Sequence, residues 1–198
     1  MKKTLISTAI SLFLFSAPAL AAPEKYTIET DHTQAVFIVS HLGFSYPMGI
    51  FRKTSGTFTF DAEKPENSEV TATIDTSSID MGTEAWDKHM KGADFFNVEQ
   101  FPAMVFKSTK VSPSGEKTAS INGDLTILGI TKPVTLDVTY VGSGTHPYSK
   151  NHVSGFTATS RIKRSDFGMT YGLPAVGDDV EIKLNVEGIR DPSITLQP

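Results

Sequence analysis

The sequence predicts an all-β fold, an antiparallel barrel or sandwich, on three observations. Apolar and polar residues alternate with period two along much of the chain. Turn-forming residues punctuate that alternation at intervals of about 8 to 12 residues. Only one stretch of any length reads as a helix. Alternation gives each strand one dry and one wet face, and such strands need no helical cover, which argues against a parallel sheet.

The chain opens on an export signal. Lys2 and Lys3 precede an uncharged, largely apolar run from Leu5 to Phe15; Ser16, Ala17 and Pro18 break it, and Ala19-Leu20-Ala21 supplies an A-x-A cleavage site. The run is too short for a membrane span, which takes about 20 apolar residues. Residues 1–21 are therefore expected to leave as a signal peptide, with 22–198 a single domain of 177 residues. A domain of that size buries over two-thirds of its unfolded surface.

From there the strands follow in order. A first strand runs between His32 and His41 and carries Phe37 and Val39; a short helix is expected at Leu42 to Tyr46, stopped by Pro47. Phe58 and Phe60 alternate with Thr57, Thr59 and Asp61, and Val70, Ala72 and Ile74 with Thr71, Thr73 and Asp75, across a turn holding Pro65 and Asn67. Thr83 to Phe96 has no period-two pattern. Thr83 is a suitable N-cap, Glu84 sits in the first turn, Lys88 is four residues on and Gly92 is the stop, so a helix of about two turns is predicted. Ile121, Leu125 and Ile127 form the next strand, after a hairpin turn at Ser112-Pro113-Ser114-Gly115. Gly129 to Pro133 makes a tight connection to Val134, Leu136, Val138 and Tyr140. Gly142-Ser143-Gly144 opens a longer loop, and Gly177-Asp178-Asp179 leads into Val180, Ile182, Leu184 and Val186.

Composition excludes several chemistries. Cysteine is absent, which removes disulfides, a lipoprotein anchor, thiol nucleophiles and thiolate metal sites. Loss of Lys2 and Lys3 takes the formal charge from −4 to −6, so nucleic acid is not an expected partner, and no later segment is apolar enough to span a membrane. His32, His41, His89, His146 and His152 show no metal-ligand spacing; zinc or iron would need three of them to converge, for which His32, His41 and His89 are the candidate set, and the expectation is no metal and no cofactor. There is no G-x-S-x-G elbow. An enzyme would have to draw on His89 with Asp94, or on His41, and Asp87 lies on a different side of the helix from His89.

Phenylalanine dominates the aromatics, 13 against 5 Tyr and 1 Trp. Inward positions of a closed sheet would place Phe37, Val39, Phe51, Phe58, Phe60, Phe106 and Phe156 in a filled core or around a ligand.

The order of motifs resembles the YceI-like family. It starts with His41-Leu42-Gly43, Gly49-Ile50-Phe51 and Gly56-Thr57-Phe58-Thr59-Phe60-Asp61, and continues with Asp87-Lys88-His89-Met90, Ala93-Asp94-Phe95-Phe96 and Phe101-Pro102. It ends with Gly123 to Val134, Arg164-Ser165-Asp166-Phe167-Gly168 and Val176-Gly177-Asp178. The resemblance implies an eight-stranded antiparallel lipocalin-like barrel with one or two short helices. It implies a long-chain isoprenoid or other amphiphilic lipid held in the lumen, and residence in the periplasm. Polar groups at the mouth would then select the head group, with His41, Arg52, Arg164 and Asp166 as candidates. Trp86 stands where relatives carry a basic residue, which would favour a less charged head group. A solid-core interaction protein is the competing reading, and a homodimer is compatible with the sequence.

Overall fold

Period-two patterning becomes strand almost throughout residues 23–192, the part of the chain described by the computed structural model. The expected signal peptide lies outside those residues. The strands are β1 (Glu24–His41), β2 (Met48–Phe51), β3 (Thr54–Phe60), β4 (Glu69–Asp75), β5 (Ile79–Asp80), β6 (Ala103–Pro113), β7 (Thr118–Ile127), β8 (Ile130–Thr145), β9 (His152–Lys163) and β10 (Val176–Arg190). One α-helix, α1 (Glu84–Lys91), follows β5.

The sheet runs β10-β9-β8-β7-β6-β4-β3-β1 and closes through a β10–β1 ladder, every pair antiparallel. β2 and β5 continue β3 and β4 past a break. β3 pairs with β1 at Glu24–Thr27 and β2 pairs with β1 at Ala35–Ile38, while β5 pairs with β2. The wall is thus an eight-stranded closed barrel.

Two bulges decide which residues face inward. On β1, Tyr26 and Ile28 point in, but after the register shift between Glu29 and Gln34 the inward set becomes Ala35, Phe37 and Val39. On β6 the shift between Ser108 and Lys110 moves the inward set from Met104 and Phe106 to Val111 and Pro113. A one-residue slip exchanges faces, so each bulge keeps a long strand dry on the inside.

The helix forms as its caps dictate. Thr83 Oγ1 accepts from Trp86 N at 3.4 Å, and Gly92 ends the helix by donating to His89 O at 3.0 Å. Met90, its one buried residue, packs into the barrel core. Leu42 to Tyr46 departs from expectation: it is a turn, not a helix. Leu42 and Gly43 take positive φ (55° and 72°), and Phe44 N and Ser45 N both reach back to His41 O. Gly142 to Gly144 also differ, lying within β8 where a register shift after Tyr140 accommodates them. The β7–β8 connection is only Leu128-Gly129, both at positive φ, the twist that a two-residue hairpin requires.

Candidate functional site

The inward faces enclose a cavity of about 380 Å³. Its size lies in the range of pockets that hold organic ligands. Every alternating set read from the sequence lines it: the apolar members of β4, β7, β8 and β10, together with Phe58 and Phe60. Leu136, Val138, Ile182 and Leu184 point inward yet are only half-buried. Their residual exposure is to the lumen itself, so the core is not solid.

The two ends differ. At the α1 end, Met90, Phe95, Phe96, Phe167 and Met169 are each buried and form a plug. Phe96 meets Phe51 edge-on with centroids 5.2 Å apart and Phe37 at 6.2 Å, an arrangement that the ring quadrupoles favour. At the other end the lining reaches exposed residues of two hairpins, Ala62 and Glu69 around the β3–β4 loop with half-buried Pro65 between them, and Gly115, Glu116 and Lys117 in the β6–β7 loop. This is the mouth. Below it an aromatic stack runs from Tyr26 through Phe58 and Phe156 to Phe60 and Tyr140, with the Tyr26 and Phe58 rings 4.9 Å apart and nearly parallel. The Tyr26 hydroxyl donates to Glu24, which also pairs with Arg190; burial and that carboxylate push the phenol well above its ordinary value.

Three glycines make room for this lining. A Cβ at Gly49 would stand 2.2 Å from the Phe37 ring, one at Gly123 2.3 Å from Phe106, and one at Gly188 2.3 Å from Phe58. Each ring occupies the space that a side chain would take at that glycine.

Phe37, Val39, Phe51, Phe58, Phe60, Phe106, Phe156 and Arg164 all line the cavity. His41 does not: it ends β1 at the plugged end and closes the Leu42–Phe44 turn. Arg52 is on the outer surface, its Nε and Nη2 both donating to Asp80 Oδ2, at 3.0 and 2.7 Å, and Asp166 is exposed. The polar groups read as a mouth therefore gather at the opposite end. Glu69, Glu116 and Lys117 were missed, although the signal was present: counting strand reversals in an antiparallel barrel puts His41, α1 and Arg164 at one end and both hairpins at the other.

Arg164 is buried, 5% exposed, and it serves the plug. Its guanidinium donates to Gly177 O (2.8 Å), Met169 O (2.9 Å) and Val176 O (2.9 Å), tying the β9–β10 connection shut. Burial pushes its pKa below the ordinary value, against the pull of Asp178. Asp178 in turn accepts from Ser165 N and Oγ, at 2.9 and 2.8 Å, and the backbone bond holds its carboxyl below the usual range. Gly168, at φ 80°, ends this turn and donates to Ser165 O.

The residues weighed for catalysis are elsewhere. His89 Nε2 is 3.8 Å from Asp94 Oδ2, both side chains are about half exposed, and neither lines the lumen. Asp87 Oδ1 accepts from Met81 N at 2.6 Å and so fastens α1 to the strand before it. His32, His41 and His89 do not form a ligand set. Among the described residues, one group of three potential ligands converges, Glu29, His32 and Glu187, on the outside of the barrel.

A sequence model of the YceI-like domain matches residues 26–188. A UPF0312 protein of Pectobacterium atrosepticum is 41% identical over 191 residues, covering 96% of this chain and 98% of its own. A protein of Salmonella arizonae named YceI is 39% identical over 191 residues, with 96% and 99% covered. Among solved structures, BcnA of Burkholderia cenocepacia superposes with a TM-score of 0.74 at 26% identity, over 81% of this chain and 98% of that one. A domain from Saccharophagus degradans described as polyisoprenoid-binding shares the fold, with a TM-score of 0.62 at 13% identity over 84% and 98% of the two chains.

Proposed function

This chain belongs to the YceI-like family, and from that premise we propose that it binds a long apolar or amphiphilic chain, of polyisoprenoid or fatty-acid type, in its barrel. The observation that carries the reading is the enclosed, apolar, unfilled lumen with one plugged end and one open one. The polyisoprenoid-binding neighbour of the same fold supports the choice of ligand class. Among the described residues no helix is long and apolar enough to cross a membrane. The leader pattern at residues 1–21 supports the periplasm as the place of this work.

The energetics suffice. Each buried methylene contributes about 0.8 kcal/mol, so a five-carbon isoprene unit contributes up to about 4 kcal/mol. Ordering of the chain and loss of tumbling offset much of this, and a few buried units still give micromolar affinity. Polar demands inside are few. Thr54 Oγ1 lines the lumen without a hydrogen-bond partner and offers one anchor at depth. Glu69, Glu116 and Lys117 meet the head group at the mouth, and their mixed, net-negative charge favours a neutral head over a phosphate.

Native mass spectrometry of the purified mature protein, then solvent extraction, tests the reading. The expected result is an adduct with the mass of a chain lipid, restored after delipidation by adding an isoprenoid quinone. A bare mass before and after such addition would overturn it.

A further inference from the structure

On the outer wall, Glu29 of β1 stands directly opposite Glu187 of β10. Two carboxylates face to face across an antiparallel pair repel each other, so this register needs a countercharge. The β1 bulge brings the means to hold one. Between Glu29↔Glu187 and Gln34↔Asn185, the residues Thr30 to Thr33 stand against Val186 alone. The excess chain folds outward and carries His32 over the carboxylates. His32 Nδ1 lies 2.8 Å from Glu29 Oε2, and the ligand atoms of Glu29, His32 and Glu187 are all within 4.8 Å of one another.

The arrangement is held in place. Glu29 Oε1 accepts from Asp31 N at 3.0 Å, and Glu29 Oε2 accepts from His32 N at 2.8 Å. Thr33, 3% exposed, donates from Oγ1 to Glu187 O and accepts from Glu187 N at 3.2 Å, which locks the bulge to β10. The β9 residue beside Glu187 is Gly155, so no side chain on that flank crowds the carboxylate.

We propose that Glu29, His32 and Glu187 form a divalent-cation site of the zinc class on the outer barrel wall, separate from the lumen. One imidazole and two carboxylates suit zinc, whereas calcium and magnesium prefer all-oxygen sets. A neutral imidazole with two carboxylates carries two negative charges, which a dication cancels. Tetrahedral zinc spaces its ligand atoms by about 3.4 Å. The present separations, 2.8 Å between His32 Nδ1 and Glu29 Oε2 and none beyond 4.8 Å, bracket that value. Water takes the fourth position. The backbone bonds to Glu29 act as the outer-shell support that such ligands need.

The test is calorimetric titration of the mature protein with zinc chloride, with calcium as the comparison. One zinc per chain is expected. Binding should weaken about tenfold or more in His32→Ala and in Glu187→Gln, while His89→Ala and His146→Ala leave it unchanged. His32 is exposed and Glu187 half-buried on the outer wall, and a melting curve of each variant checks that the barrel is intact. Absence of zinc binding in the wild type would overturn the proposal, as would equal affinity in His32→Ala and Glu187→Gln, or a loss caused by His146→Ala. The site stands apart from the lumen, so delipidated and lipid-loaded protein should take up zinc alike. Failure of either reading leaves the other intact.

Discussion

Phe106 over Gly123 shows how single residues keep the lumen open. The ring needs the space that a methyl group would fill, since a Cβ there would stand 2.3 Å from Cζ and 2.6 Å from Lys107 O. We predict that Gly123→Ala costs about 1–3 kcal/mol, the usual penalty of overpacking, read as a lower urea midpoint at unchanged slope. An unchanged midpoint would mean that the ring is free to swing away. That Phe106 faces inward was legible from its strand; that it rests on a glycine two registers away was not, because cross-strand partners depend on the bulge between Ser108 and Lys110. Arg164 is a sharper case. An arginine in a turn motif reads as a ligand-facing cation, and only three-dimensional convergence of Gly177, Met169 and Val176 carbonyls shows that its donors are already in use.

Among the elements, α1 was the easiest to read and the turn after β1 the hardest. Thr83 and Gly92 are side-chain and conformational signals that act within a few residues, so sequence carries them. His41 to Tyr46 has helix-length spacing, but its backbone carbonyls are claimed by a tight turn, and Leu42 N bonds Ala175 O on a distant connection. Tertiary contacts decided that segment. The helix also separates two acidic residues of different worth. Asp87→Ala removes the acceptor of a partly buried Met81 N–H and should cost about 1–3 kcal/mol. Asp94→Ala loses only a loose, exposed contact with His89 and should stay within about 0.5 kcal/mol. Thermal melts of the two variants measure this; a larger loss for Asp94→Ala would restore the idea that His89 and Asp94 act as a unit.

For the whole molecule, strand alternation predicted a closed or stacked sheet, and the motif order selected the barrel. Whether the barrel was filled could not be read from composition, because phenylalanine packs equally well into a core or around a chain. The answer lies in side-chain directions: aliphatic residues of β8 and β10 point into open space. Filling that space should separate stability from binding. Val138→Phe projects a ring into the lumen from a half-buried position. We expect the melting temperature to hold or rise, as cavity-filling changes commonly add about 0.5–2 kcal/mol, while the lipid adduct disappears from the native mass spectrum. Retention of a full-length lipid adduct would place the ligand outside the barrel.

The inequality of the barrel's ends has a kinetic consequence. With Arg164 and the phenylalanines sealing one end, the container is a blind sleeve. Under the proposed function a chain would thread in tail first and back out by the same door, so two ligands could not pass and nothing could be pushed through. Chain length would have a ceiling set by the sleeve's depth, beyond which carbon would be left in water. Release would be a matter of drawing the head group, the last part to enter and the first to leave, toward whatever surface receives it.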